Sequence, residues 1–208
     1  MSKITALQPS KNGKNVNIFI DGTFSFSIGK EVVIKENLRG GTVLSFKQIE
    51  KLKDDDIFRK YLHIALSFIS SRPRSEKEVR QRLRRSECKN NMVDRIITHL
   101  KEQGLVDDIA FAQYWKDNRL SFSPRSQSLI KQELRIKGID NTIADEVAED
   151  IDNEESAYKA GLKKVRLFSG LDYDGFRHKL FNHLRYRGFH YEIIERVSDR
   201  LWQELHNT

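Results

Sequence analysis

An apolar and basic motif recurs three times along this chain, at intervals of about 50 residues. Its copies are LRRS at 83–86, LRIKG at 134–138 and LRYRG at 184–188. Each copy ends a pattern of helical period, because another apolar residue lies four positions before its leucine. Repetition of this length is typical of helical arrays, in which each unit packs against its neighbours. The motif therefore constrains the fold more than any other feature of the sequence.

The segments around each copy complete a three-helix unit. A long helical pattern precedes the copies, at 57–70, 108–121 and 154–168, and another apolar helix follows each one. We therefore predict a mainly α fold of tandem three-helix repeats in an elongated array, preceded by a small β-rich (α+β) N-terminal domain. The predicted domains are residues 1–56, 57–106, 107–152 and 153–208.

Residues typical of helix ends support these units. Ser75 and Glu78 form the S-x-x-E pattern of a capping box, and Ser126 occupies the same place in the second unit. Gly138 and Gly188 suit the left-handed position that often follows a helix. The first unit has no glycine there, so we expect its second helix to end differently.

The start of the chain alternates apolar and polar residues, as strands do. Asp21-Gly22 separates two such runs and favours a type I′ hairpin turn, which needs positive φ. Phe24 is expected on the same face as Phe26 and Ile28. The predicted elements are the two hairpin strands, a third strand at 3–9, a short helix at 30–37 and a helix capped by Ser45.

Positive charge is concentrated in one stretch, SRPRSEKEVRQRLRRS at 71–86. This stretch has seven basic and two acidic residues, against a net charge of +7 for the whole chain. Such a localised patch indicates a polyanionic partner. The single cysteine, the lack of a secretory leader and the lack of a long apolar run predict a soluble cytoplasmic protein.

A helix at 76–85 would place Lys77, Arg80 and Arg84 on one face, with Arg72 and Arg74 in the loop before it. Glu76 could pair with Arg80, and Glu78 with Arg82, but exposed pairs contribute only about 0.3–0.5 kcal/mol. The alternative is a solvated helix face without a ligand. The position of Arg84 is occupied by Arg135 and Arg185 in the other units, which favours a basic row that binds phosphate groups.

Residues 138–156 carry eight acidic residues and no basic one. They can be a solvated helix with an acidic first turn, which we favour, or a docking face for a basic protein surface. Asp107-Asp108 suggests a metal site, but Asp107 is better explained as a helix cap.

Other candidate sites have weaker support. Phe111, Tyr114 and Trp115 have the spacing of core residues. Tyr186, Phe189 and Tyr191 lie beside arginines and could stack on bases, although core packing is the safer interpretation. Basic neighbours could lower the pKa of Cys88. No zinc-binding histidine spacing, P-loop or G-x-S-x-G motif is present in the sequence, so we expect neither a cofactor nor an enzyme.

Three stretches together resemble the RecX family, whose members regulate the recombinase RecA. They are RPRSE at 72–76 with Glu78-Val79 and Leu83; LKEQGLVDD at 100–108 with Phe111-Ala112, Trp115 and Arg119; and Ile130 with Glu133-Leu134 and Lys137-Gly138-Ile139. The sequence departs from the family at Ser86-Glu87, where Lys-Gly is common, and at Ile109, where an acidic residue is frequent.

The resemblance implies a regulator that binds the RecA–single-stranded DNA filament, mostly inhibits it, and so restrains DNA repair, recombination and the SOS response. It implies a monomer without a membrane partner. A stand-alone nucleic-acid-binding repeat protein is the alternative, and a nuclease is disfavoured. The candidate residues for contact with DNA or a partner are Arg72, Arg74, Lys77, Arg80, Arg84, Lys131, Arg135, Arg185 and Arg187.

Overall fold

The computed structural model describes residues 2–11 and 13–206. Its strands are β1 Ser2–Pro9, β2 Asn15–Ile20, β3 Thr23–Gly29 and β4 Val43–Leu44. Its helices are α1 Lys30–Lys35, α2 Phe46–Ile69, α3 Glu76–Arg85, α4 Asn90–Glu102, α5 Asp108–Phe122, α6 Gln127–Ile136, α7 Asn141–Ala148, α8 Asn153–Phe168, α9 Tyr173–Tyr186 and α10 Tyr191–His206. The predicted class, mainly helical with a small β-rich start, is confirmed. Within the described ranges, no helix is long and apolar enough to cross a membrane.

The N-terminal sheet is antiparallel, with the strand order β3-β2-β1-β4. Asp21 and Gly22 have φ values of 49° and 84°, which confirms the predicted turn. The prediction for Phe24 was wrong, because its ring is 58% exposed. A register shift in the β2–β3 pairing places Phe24 opposite Phe19, so the alternation of faces is interrupted before Phe26.

One continuous helix, α2, replaces the two helices predicted on either side of residue 56. Ser45 caps it, as predicted, and forms a full capping box with Gln48. No proline or glycine interrupts residues 46–69, so nothing in the sequence stops the helix. Ile49 and Leu52 of α2 belong to the core of the sheet.

The chain forms two compact units, residues 1–70 with 82–96 and residues 71–81 with 97–208. The first contains the sheet, α1 and α2. The second contains two successive three-helix groups, α5–α7 and α8–α10, each with its own core. The apolar positions of the repeated motif are fully buried in all three copies, at Val79, Leu83, Ile130, Leu134, Leu180 and Leu184.

The second helix of each repeat ends in the same turn. Backbone N–H groups of Cys88, Ile139 and Phe189 each donate to the carbonyl of the residue five positions earlier, as in a Schellman motif. Gly138 and Gly188 take the left-handed position, with φ values of 87° and 83°. The different ending predicted for the first repeat was wrong, because Glu87 takes the same position with φ 62°.

Candidate functional site

The sequence Pro-Arg-Ser occurs twice, at 73–75 and 124–126, and each copy contacts the end of a later helix. We call the contact of residues 72–78 with residues 136–138 the first junction. Here the Ser75 hydroxyl donates to the carbonyl of Lys137 at 2.7 Å, and the Lys77 ammonium donates to the carbonyl of Ile136 at 2.9 Å. A Cβ on Gly138 would lie 2.6 Å from the Cβ of Lys77, so only glycine fits this approach.

Glu78 binds two of the cations of the first junction. Its carboxylate accepts two hydrogen bonds of 3.0 Å from Arg72 and one of 2.6 Å from Lys137. Burial alone would raise the pKa of Glu78, but these bonds outweigh it and lower the pKa. Only half of the predicted capping box forms, since Ser75 accepts from the Glu78 N–H while the Glu78 carboxylate is bound elsewhere.

Glu133 organises a second network from residues that carry the family resemblance. Its carboxylate accepts hydrogen bonds from the Trp115 indole and the Arg119 guanidinium, both at 2.7 Å, and a further one from Arg125. The Arg119 guanidinium lies 4.3 Å from the centre of the Trp115 ring. Trp115 also stacks on the buried ring of Phe111. These motif residues therefore have a structural role, as the core spacing of Phe111 and Trp115 predicted.

The second junction joins residues 123–129 to residues 186–188. The Ser126 N–H donates to the carbonyl of Arg187 at 3.0 Å, and Ser126 also caps α6 as predicted. A Cβ on Gly188 would lie 2.9 Å from the Cβ of Leu129. An Arg187 nitrogen lies 3.3 Å from Nδ1 of His183, while Nε2 of His183 lies 3.3 Å from the Ala160 carbonyl. This arrangement requires the proton on Nε2, so that Nδ1 can accept from Arg187.

Most of the basic residues predicted to bind DNA or a partner are engaged within the chain. Arg72 is held by Glu78, Arg74 donates to the Ser71 hydroxyl, and Lys77 donates to a carbonyl of the first junction. Arg80 pairs with Glu76 at 2.6 Å, as predicted. Lys131 and Arg135 share the carboxylate of Asp145, at 3.1 and 3.2 Å.

The side chains of three other predicted residues bond to no carboxylate, hydroxyl or carbonyl oxygen in the described part of the chain. They are Arg84, Arg185 and Arg187. Arg84 and Arg185 are exposed, and the Arg185 guanidinium lies 5.8 Å from the Phe181 ring. Arg187 is partly buried. Arg84, Arg135 and Arg185 occupy equivalent positions in the three repeats. The basic row that they were predicted to form stays a prediction.

The end of α3 presents a basic cluster of exposed side chains, Arg82, Arg84, Arg85 and Lys89, which we call the α3 cluster. Its members have no side-chain partner among residues 2–11 and 13–206. The predicted pair of Arg82 with Glu78 was wrong, because Glu78 is taken by Arg72 and Lys137. Arg82, Arg85 and Lys89 are not among the residues predicted from the sequence. The sequence signal for Arg85 is the absence of an acidic residue four positions away on either side.

The acidic stretch at 138–156 is largely used within the second unit. Asp140 and Asp152 cap α7 and α8. Asp145, Asp150, Glu154 and Glu155 each pair with a basic side chain. Six of its eight carboxylates thus have internal partners, which supports the structural interpretation over a docking face.

Other candidates have structural roles as well. Asp107 caps α5, as predicted, and the Asp108 carboxylate accepts the N–H of Glu76 at 2.8 Å. Burial raises the pKa of the Cys88 thiol, so the predicted lowering was wrong. Phe189 is buried, whereas Tyr186 is 81% exposed. In the ranges that the structure describes, no group of three or more His, Cys, Asp or Glu residues could hold a metal ion.

Comparison with known proteins identifies a family with the same succession of domains. The family models for the RecX N-terminal domain and for the first, second and third RecX three-helix domains match residues 2–45, 62–100, 107–147 and 152–197. These matches confirm the predicted three-helix repeats.

Relatives named regulatory protein RecX include one from Clostridioides difficile, 31% identical over 97% of this chain and 96% of its own length. Another, from Listeria monocytogenes, is 34% identical over 79% of this chain but only 62% of its own length. A crystal structure of regulatory protein RecX is 26% identical and superposes with a TM-score of 0.67, covering 96% of this chain and all of that one. The chain therefore belongs to the RecX family of regulatory proteins.

Proposed function

We propose that this protein regulates a RecA-type recombinase by binding its filament on single-stranded DNA and restraining its activity. The observation that carries the proposal is the α3 cluster, in which four exposed cations have no side-chain partner within residues 2–11 and 13–206. Membership of a family of regulators supports the same role. Because uncompensated guanidinium groups bind phosphate oxygens well, we assign the cluster to the DNA backbone of the filament.

The proposed mechanism is steric and electrostatic and needs no catalytic step by this chain. Tandem repeats would contact successive recombinase protomers, so that binding favours one conformational state of the filament. An effect on ATP hydrolysis would follow indirectly from that shift. Phosphate contacts carry little sequence information, so the regulator would act on filaments regardless of the DNA sequence.

The test compares ATP hydrolysis and filament length of a recombinase on single-stranded DNA, with and without this protein. We expect both to fall with increasing protein, and a change in neither at stoichiometric excess would overturn the proposal. The triple variant R82E/R84E/R85E should lose the effect. Its control is K35E/K47E/K51E, which makes the same change of charge at exposed lysines of the same unit.

Two other outcomes identify different functions. If R82E/R84E/R85E still binds DNA alone but no longer restrains the filament, the α3 cluster contacts the recombinase instead of phosphate. If the wild-type protein binds DNA tightly and leaves the recombinase unaffected, the chain is a stand-alone nucleic-acid-binding protein.

A further inference from the structure

The two junctions have the same construction but differ in whether a carboxylate pairs with their cations. The residue three positions after the serine of Pro-Arg-Ser is Glu78 in the first junction and Leu129 in the second. The residue before the left-handed glycine is Lys137 in the first and Arg187 in the second. Glu78 binds Lys137 at 2.6 Å, whereas leucine offers Arg187 no carboxylate. The second junction therefore has a cation at the place where the first has an ion pair.

Arg187 is also incompletely bonded. Its Nε atom is buried and has no hydrogen-bond partner in the part of the chain that the structure describes. Among the described residues, the one hydrogen-bond contact of its terminal nitrogens is with Nδ1 of His183. Burial and the nearby Arg187 charge lower the pKa of His183, so this ring is neutral. A buried donor without an acceptor costs free energy, so the Arg187 guanidinium is less completely bonded than the Lys137 ammonium of the first junction.

Positive charge accumulates around this arginine. Arg125 directly precedes Ser126, whose N–H donates to the carbonyl of Arg187. Arg125 shares the carboxylate of Glu133 with Arg119. Burial lowers the pKa of Arg125, and the charges of Arg119 and Arg187 lower it further. Glu133 is the one carboxylate that binds any of them among the described residues, and it binds Arg119 and Arg125. Three cations against one carboxylate leave a net charge of about +2, which favours an anionic ligand.

An exposed aromatic ring lies next to these arginines. Tyr186 directly precedes Arg187, whose carbonyl accepts the N–H of Ser126 beside Arg125 at 3.0 Å. Its ring is 81% exposed and has no hydrogen-bond or ring partner in the described ranges. Tyr191 differs, because its hydroxyl is bonded to Glu195 and its ring packs on Phe181. A free aromatic face beside guanidinium groups is the arrangement that binds unpaired bases and their phosphates.

We propose that the second junction is a binding site for single-stranded nucleic acid, in which Arg125 and Arg187 contact a backbone phosphate and Tyr186 stacks on an adjacent base. The site lies on different residues from the α3 cluster. The choice of single-stranded nucleic acid as the ligand rests on the proposed function. A recombinase filament contains a single strand with unpaired bases, whereas the bases of a duplex are paired. Stacking does not discriminate strongly between bases, so the site would accept any sequence.

The test measures the fluorescence anisotropy of a labelled 20-nucleotide oligothymidine with this protein and no recombinase. Tyr186→Ala should weaken binding by about 5- to 100-fold, because one base loses its stacking partner. Tyr186→Phe should bind like the wild type, since the ring remains. Leu129→Glu should weaken binding by at least about tenfold, because it places a carboxylate where Glu78 pairs with Lys137 in the first junction.

Phe46→Ala provides the control, since Phe46 is 76% exposed in the other unit and should not affect binding. Circular dichroism of every variant shows that the helices remain. If folded Tyr186→Ala and Leu129→Glu both bind oligothymidine like the wild type, the inference is overturned. It is also overturned if labelled poly-glutamate binds equally well and independently of Tyr186, because the site would then be a protein-binding surface.

The filament assay separates this inference from the proposed function. If Tyr186→Ala loses oligothymidine binding while the wild-type protein has no effect on a recombinase, the site stands and the proposed function fails. If Tyr186→Ala binds oligothymidine normally while the wild-type protein restrains the filament, the proposed function stands and the site fails.

Discussion

Glu78 determines which cations of the 71–86 stretch remain available to a ligand. Its side chain is only 12% exposed, and it binds Arg72 from the loop before α3 and Lys137 from the end of α6. An isolated α3 would instead have offered Glu78 to Arg82, four residues later on the same helix. Because the Glu78 carboxylate binds Arg72 and Lys137, which are distant in sequence, it does not pair with Arg82. Arg82 therefore stays exposed in the α3 cluster.

We expect Glu78→Gln to destabilise the second unit by about 1–2 kcal/mol at pH 7, because two partly buried cations lose their counter-charge. The folded-state pKa of Glu78 is lowered, so its contribution is complete above the unfolded pKa of about 4.3 and is lost as the pH falls through the folded value. The difference from the wild type should therefore shrink on acidification below about pH 5.

Urea unfolding at pH 7 and pH 4, followed by tryptophan fluorescence, checks this expectation. Trp115 and Trp202 both belong to the second unit and report its unfolding. Glu146→Gln is the control, since Glu146 is exposed on α7 and has no side-chain partner in the described chain. An equal loss of stability at both pH values would contradict the assigned ion pairs.

Among the elements, the turns that end α3, α4, α6 and α9 share one geometry and differ in their surroundings. Gly104 after α4 and Gly138 after α6 both have positive φ, at 66° and 87°. A Cβ on Gly104 would meet no atom within 4 Å, whereas on Gly138 it would meet Lys77 at 2.6 Å. Substitution of Gly104 by alanine therefore measures the free-energy cost of the left-handed backbone alone. The same substitution at Gly138 adds the cost of the steric clash in the first junction.

Gly104→Ala should destabilise the second unit by about 1–2 kcal/mol, the cost of a left-handed alanine. Gly138→Ala should cost clearly more, because α3 must also move away from the turn. Urea unfolding of both variants measures the difference, and equal losses would mean that the first junction is loose. Both positions belong to the same unit, so one fluorescence signal serves for both.

The sequence predicted the elements better than the contacts between them. Burial of Val79, Ile130 and Leu180 followed from helical period, because packing requires an apolar residue wherever a helix faces the core. The glycine turns followed from the steric demands of positive φ. The partners of the long basic side chains did not follow, because a residue such as Arg72 reaches several carboxylates and its choice depends on tertiary packing.

The same limit explains the candidate site. The charges along α3 indicate a basic stretch, but they do not reveal that Arg72 is paired with Glu78 within the chain, as Arg80 is with Glu76. The binding of a ligand by these residues stays a prediction. Glu87 was similarly unpredictable as a turn residue, because a glutamate rarely takes positive φ without packing that compensates for the strain.

At the scale of the whole molecule, a net charge of +7 is less informative than the distribution of unpaired cations. Binding to a single strand should weaken with salt by about 0.7 logarithmic units per tenfold increase in concentration for each phosphate neutralised. We expect R82E/R84E/R85E to reduce this slope by about 2, since three phosphate contacts disappear. Oligothymidine titrations between about 50 and 200 mM NaCl measure it.

Tyr186→Ala should weaken the same binding without altering its salt dependence, because stacking releases no counterions. An unchanged slope in R82E/R84E/R85E would show that the α3 cluster does not contact DNA. The two variants thus distinguish electrostatic from stacking contributions in a single set of measurements.

The uninterrupted α2 has a consequence for dissecting this protein. Ile49 and Leu52 complete the core of the sheet, Asp56 holds the Gly29 N–H at 2.6 Å, and Asp54 pairs with Arg95 of α4 at 2.5 Å. A truncation at residue 56, where the repeats alone suggest a boundary, would cut α2 near its middle and separate residues 57–69 from the N-terminal half of their own helix. A chimeric protein that receives the N-terminal sheet of a relative should therefore receive the whole of α2, residues 46–69, with it.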